Sequence, residues 1–258
     1  DPGEWHNVAA DPVHAATPAD LKRQLAEKTK APASAGDSNS EPRYETRDVS
    51  GWTVHISRKL LASDAKPTEH ALTLLKKMLD EVIRDVPAPA VAELKKVPLY
   101  FNPSYKGGRS GAEFHAGADW LRDNGRDPDM ARAVEFSGVH DFEAEMRRMP
   151  NFALHELAHA YHNRVLKDGF EAAEIKTAYV RAKISGKYER VERSRGDGSP
   201  NTFERAYAIT DPMEYFAETT EAYFTRNDFF PFTRDELKAH DPEMFALLEK
   251  FWGVTPAK

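Results

Sequence analysis

The chain has 258 residues, with 36 Lys and Arg against 42 Asp and Glu, ten His and no Cys. Without cysteine it can form no disulfide, thiolate metal site or thiol nucleophile, so any metal must be held by His, Asp or Glu. A formal net charge of −6 gives no footprint for nucleic acid or anionic membrane, and 40% hydrophobic residues suffice for the core of one large domain or two small ones.

No window approaches the roughly 18 uninterrupted apolar residues of a membrane span, and no basic-then-apolar leader opens the chain. A chain beginning at Asp1 rather than Met fits either removal of an export leader or a trimmed chain, and composition does not decide between them. A secreted or periplasmic location is the expectation, with a cytoplasmic one as the alternative.

Residues 1–43 are rich in Ala, Pro, Asp and Ser and read as a mobile tail or linker, with one short helix candidate at 19–28. From Tyr44 the pattern tightens. Trp52, Val54 and Ile56 alternate with polar residues as in a half-buried strand. Thr68 reads as the N-cap of a helix to Arg84, with Leu72, Leu75, Met78, Leu79 and Val82 at helical spacing. Residues 97–101 form a second strand candidate, the glycine-rich stretch 102–129 reads as irregular apart from a turn near Trp120, and residues 133–137 form a third strand.

Residues 141–167 read as helical, with Pro150 kinking the helix or opening a second one, and Asp168-Gly169 stopping it. Another helix is expected over 171–183. Two strands, 188–193 and 203–209, flank Gly196-Asp197-Gly198 as a hairpin. Arg195-Gly196-Asp197 resembles an adhesion tripeptide but serves that turn. Helices are then expected at 211–225, 233–238 and 242–252. A few strands followed by several helices give an α+β domain over 44–258.

The chemistry concentrates in His155-Glu156-Leu157-Ala158-His159, an HExxH motif in a predicted helix. At about 100° per residue the two histidines share one face, so both imidazoles can reach one Zn²⁺ at roughly 2.1 Å, while Glu156 projects beside the metal as a base for water. Apolar Leu154, Ala158, Tyr161 and Val165 border this histidine stripe, which argues against an ordinary solvated edge. His162 continues the stripe but lies roughly 10 Å along the axis from His155, too far for shared coordination, and is placed behind the ligands or at the surface.

A second polar stripe follows in 211–224. Asp211 and Pro212 mark a helix start, and Glu214, Glu218 and Glu221 fall within about 60° of one another beside the apolar arc of Met213, Ala217, Thr220 and Phe224. The spacing alone leaves open which carboxylate completes the site.

The pair His155-Glu-Leu-Ala-His159 and Glu214-Tyr-Phe-Ala-Glu218 resembles the gluzincin metallopeptidases, in particular the long-spacer type represented by the anthrax lethal-factor catalytic domain. The resemblance covers 151–224 and implies a zincin-like domain with a small sheet, an HExxH helix and a C-terminal helical part. It implies that Glu214 is the third zinc ligand, that Glu218 supports a ligand histidine, and that Tyr207, seven residues before Glu214, assists the transition state. Catalysis is then expected from one Zn²⁺, with Glu156 as general base, on a protein or peptide substrate. A zinc hydrolase of a non-peptide amide, or a non-catalytic module stabilised by the metal, are the alternatives.

The strand at 133–137 is where zincins place a substrate-pairing sheet edge, which makes Val134 and Phe136 cleft candidates. His115 could line the cleft or be a satisfied structural histidine. His140 and His240 read as structural.

Overall fold

The computed structural model describes residues 42–105 and 111–254. The helix expected at 19–28 and the glycines at 107 and 108 lie outside them. Strands β1 (Tyr44–Val49) and β2 (Trp52–Ser57) form an antiparallel hairpin turning at Ser50 and Gly51, both at positive φ. The alternation over 52–56 has its expected cause: Trp52, Val54 and Ile56 are fully buried and Thr53 is exposed.

After α1 (Arg58–Ser63), α2 spans Ala65–Asp85 and buries Leu72, Leu75, Met78, Leu79 and Val82. It begins before the expected start. Thr68 does not cap it but lies buried inside it, its hydroxyl donating to the Asp64 carbonyl at 2.8 Å. A Thr bonded back to the i−4 carbonyl carries the same sequence signal as a cap.

Helix α3 (Ala88–Leu94) leads into β3 (Leu99–Asn102). The stretch expected to be irregular contains β4 (Gly111–Phe114) and α4 (Ala118–Asp123), before β5 (Val134–Ser137). The Gly-Ala-Glu-Phe sequence of β4 has little strand propensity of its own, and pairing with β5 supplies its order.

The five-stranded sheet has the order β1-β2-β3-β5-β4, parallel from β2 through β3 to β5 and antiparallel at both ends. β5 is thus an inner strand, and β4 is the edge. This overturns the reading of 133–137 as a substrate-pairing edge. Val134 and Phe136 are buried in the main core, and both sides of their strand are paired.

The period-2 pattern divides the sheet's two faces. Leu99, Phe101, Val134 and Phe136 join the main core with the residues of α2, whereas Tyr100, Ala133, Leu121 and Met130 form a smaller cluster.

Pro150 separates two helices, α5 (Phe142–Arg148) and α6 (Phe152–Arg164). A 3-10 turn at Gly169–Glu171 precedes α7 (Ala173–Ser185), which starts later than expected. Strands β6 (Val191–Arg193) and β7 (Thr202–Glu204) form the expected hairpin, but its second strand ends early and Tyr207–Ile209 is a 3-10 turn. Gly196 in the hairpin turn has φ +67°, and a Cβ there would stand 1.8 Å from the Arg147 carbonyl oxygen. Only glycine lets the turn lie this close to the end of α5.

Helices α8 (Pro212–Phe224), α9 (Arg234–His240) and α10 (Pro242–Trp252) complete an α+β fold with a mainly helical C-terminal part. Among the described residues, no helix is long and apolar enough to cross a membrane.

Candidate metal centre

Two capped helices bring the site together. Asn151 starts α6: its side-chain oxygen accepts from Leu154 N at 3.0 Å, and its Nδ2 donates to the Met78 carbonyl of α2 at 3.0 Å. The Asp211 carboxylate starts α8 by accepting from Met213 N at 2.8 Å and Glu214 N at 3.0 Å. Such caps contribute about 1 kcal/mol each. α6 packs directly against α8, so the histidine stripe meets the acidic stripe.

At their contact His155 Nε2 lies 3.1 Å from His159 Nε2 and 3.1 Å from Glu214 Oε2, and His159 Nε2 lies 3.4 Å from the same oxygen. The three donor atoms all fall within 4.8 Å of one another. Burial opposes charge on His155, yet its hydrogen bonds to Glu214 and Glu221 raise its pKa well above the ordinary imidazole value. Burial likewise disfavours ionised Glu214, but the imidazoles of His159 and His155 hold its carboxyl far below the usual range. An environment that favours positive charge so strongly suits a bound cation.

Glu156 stands beside this trio. Its Oε2 accepts from the Phe114 backbone N–H of edge strand β4 at 2.7 Å. Burial raises its pKa against the opposing pull of His155 and His159, the direction that suits a proton acceptor. Tyr207 is 47% exposed and its hydroxyl donates to Glu214 Oε1 at 3.2 Å. Partial desolvation of the phenol and the Glu214 charge raise its pKa, keeping the hydroxyl protonated.

The carboxylate behind His155 is not the expected one. Glu221 Oε1 lies 2.7 Å from His155 Nδ1, whereas Glu218 Oε1 stands at 3.9 Å. Glu218 instead accepts from Asn227 Nδ2 at 3.1 Å. The supporting contact assigned by resemblance to Glu218 is therefore made by Glu221, two turns beyond Glu214. His155, Glu218 and Glu221 form a second potential metal grouping, but its imidazole nitrogen is already engaged by Glu221.

Both carboxylates adjoin Asp228, whose buried side chain pairs with Arg148 at 3.1 Å and Arg193 at 3.3 Å. Burial raises the pKa of Glu218, Glu221 and Asp228 alike.

The remaining expected residues lie elsewhere. His162 is fully buried against Phe170 and Phe216, which excludes a surface position, and among the described residues neither ring nitrogen has a side-chain hydrogen-bond partner. Burial lowers its pKa to about 4. His115 is buried with its Nε2 2.8 Å from Glu135 Oε2 and its ring stacked on Trp120, so it is a satisfied structural histidine and not a cleft residue. Glu135 also accepts from Asn102 Nδ2 at 2.6 Å and pairs with Arg126 at 3.1 Å. Val134 and Phe136 belong to the core.

Sequence reasoning missed the contacts of Glu221 and of the Phe114 amide. The acidic stripe included Glu221 but could not rank it. No pattern reveals a backbone N–H aimed from a strand hidden in a glycine-rich stretch.

Residues 136–253 match the family model described as glucose-regulated metallo-peptidase M90. The matched stretch contains both helices of the site, and the match supports a metallopeptidase that uses a metal ion to hydrolyse peptides. Comparison with curated proteins returns no match. Among solved structures the chain is similar to the Pro-Pro endopeptidase PPEP-2 from Paenibacillus alvei, at 19% identity and a TM-score of 0.41, covering 70% of this chain and 89% of that one. A likeness at that level assigns no activity.

Proposed function

We propose that this chain is a zinc-dependent endopeptidase of gluzincin type, with a zincin-like catalytic domain over 44–258 preceded by the segment 1–43. The observation that carries the reading is the convergence of His155 Nε2, His159 Nε2 and Glu214 Oε2, with Glu156 alongside. Two imidazoles and one carboxylate are a donor set of catalytic zinc sites, which leave a coordination position open. The Nδ1 of His155 faces Glu221, so its hydrogen sits there and its Nε2 presents a lone pair to the trio.

His155, His159 and Glu214 would hold the zinc ion, which would supply Lewis acidity for the hydrolysis. Glu156 takes the proton from the attacking water and returns it to the leaving amine. The Phe114 amide holds one Glu156 oxygen, which leaves the other to receive that proton. Tyr207 turns its hydroxyl from Glu214 to the oxyanion as charge develops. Glu221 keeps the His155 ring in its working orientation.

The test is metal analysis coupled to a peptide-library cleavage profile, with Glu156→Gln as the blank. Stoichiometric zinc, cleavage by the wild type and none by Glu156→Gln are expected. Unchanged peptidase activity in Glu156→Gln would sink the assignment, and turnover of small amides without cleavage of any peptide would favour the amide-hydrolase alternative.

A further inference from the structure

The hairpin of β6 and β7 takes no part in the reaction described above, yet its second strand runs straight into the site. β7 ends at Glu204, and Tyr207, whose hydroxyl touches Glu214, follows three residues later. From Phe203 to the start of the 3-10 turn at Tyr207 the exposed positions are Phe203, Arg205 and Tyr207, every second residue, as where an extended chain turns one face outward.

The two edges of this hairpin differ. The outer edge of β6 is taken: Ser194 N donates to the Asp228 carbonyl at 2.8 Å and Phe230 N donates to the Glu192 carbonyl at 2.8 Å. Because Glu192 points its main chain toward Phe230, the facing pair Glu192 and Phe203 exchanges no hydrogen bonds. The N–H and C=O of Phe203 are therefore directed away from β6. Among the described residues no strand pairs with that side of β7.

Phe203 itself is 58% exposed, with the Arg190 guanidinium 4.6 Å from its ring centroid. A large aromatic side chain kept at the surface by a cation, on an open strand edge, has the attributes of a peptide anchor.

We propose that the open edge of β7 is the docking strand for an extended polypeptide substrate, and that Phe203, with Arg190, selects an aromatic or large apolar residue remote from the scissile bond. The occupant is fixed by continuity: a chain lying along β7 is led to Tyr207 and the metal centre. Four residues of extended chain span about 13 Å, so the selected residue lies about four positions from the bond cut. This rests on the peptidase reading for its catalytic half only.

The test compares wild type and Phe203→Ala on peptides sharing one cleaved core. One set ends short of the anchor position, and the other carries Phe or Ser four positions to either side of the scissile bond. The wild type should favour the long Phe peptide, and Phe203→Ala should raise KM for it about tenfold, leave kcat unchanged and leave the short peptides unaffected. Equal KM ratios in the two proteins overturn the proposal. Binding of the same peptides to Glu156→Gln, by fluorescence anisotropy, separates the two readings. Phe203-dependent binding without cleavage by the wild type would keep the docking strand and reject the peptidase, whereas binding indifferent to Phe203→Ala would reject the docking strand whether or not cleavage occurs.

Discussion

Glu221 Oε1 stands 2.7 Å from His155 Nδ1, across the interface of α6 and α8, and so orients the first imidazole of the candidate metal centre. Glu218, one turn nearer to Glu214, is 3.9 Å from the same nitrogen and spends an oxygen on Asn227.

Glu221→Gln should therefore weaken zinc binding about 10- to 100-fold, the usual effect of losing a carboxylate behind a ligand histidine. Glu218→Gln should weaken it less. Competition against a chromogenic chelator measures both, and a larger loss for Glu218→Gln would return the supporting role to that residue.

Tyr207→Phe keeps the ring and removes the hydroxyl. A lost oxyanion donor costs about 10²- to 10³-fold in kcat. Zinc content and KM should change little, since the phenol touches Glu214 through a single hydrogen bond at 3.2 Å. Steady-state kinetics at saturating zinc reads the split, and a variant with wild-type kcat would remove Tyr207 from the reaction.

His162 links acidity to stability. Burial lowers its folded pKa to about 4 from 6.5. The unfolded chain thus binds this proton more readily, so the contribution is intact above about pH 6.5, declines as the pH falls, and levels off below about 4. Its ceiling is about 3 kcal/mol at 1.36 kcal/mol per pKa unit. His162→Leu, compared with wild type by urea unfolding of metal-free protein at pH 7 and pH 5, should lose less stability between those two values. Parallel losses would show that His162 is not the group responsible.

Gly196→Ala sets a Cβ against the Arg147 carbonyl at a left-handed backbone position. The turn must lift from the end of α5, at a cost of about 2 to 3 kcal/mol. A lower Tm and faster proteolysis within 194–201 are expected. Gly198→Ala, also at positive φ but with open space around it, should cost less.

The sequence by itself determined the α+β character, the HExxH helix and the start of α8, because each rests on local physics. Helical periodicity set the two histidines one turn apart, and Asp211-Pro212 is a start signal that needs no tertiary partner. It also placed Glu214, Glu218 and Glu221 on one stripe. Only the packing of α6 on α8 decided that Glu214 meets the Nε2 atoms of His155 and His159 while Glu221 meets His155 Nδ1, since a difference of about an ångström depends on how two helices meet. The same holds for β4 and β5. A Gly-Ala-Glu-Phe segment becomes a strand only when a partner supplies its hydrogen bonds, and that pairing moved the sheet edge from Phe136 to Phe114, whose N–H then meets Glu156. His115 and His162 were legible as histidines near the motif but not in their roles. One is paired with the buried carboxylate of Glu135 and the other is packed against Phe170 and Phe216, and such neighbours are brought together by the fold.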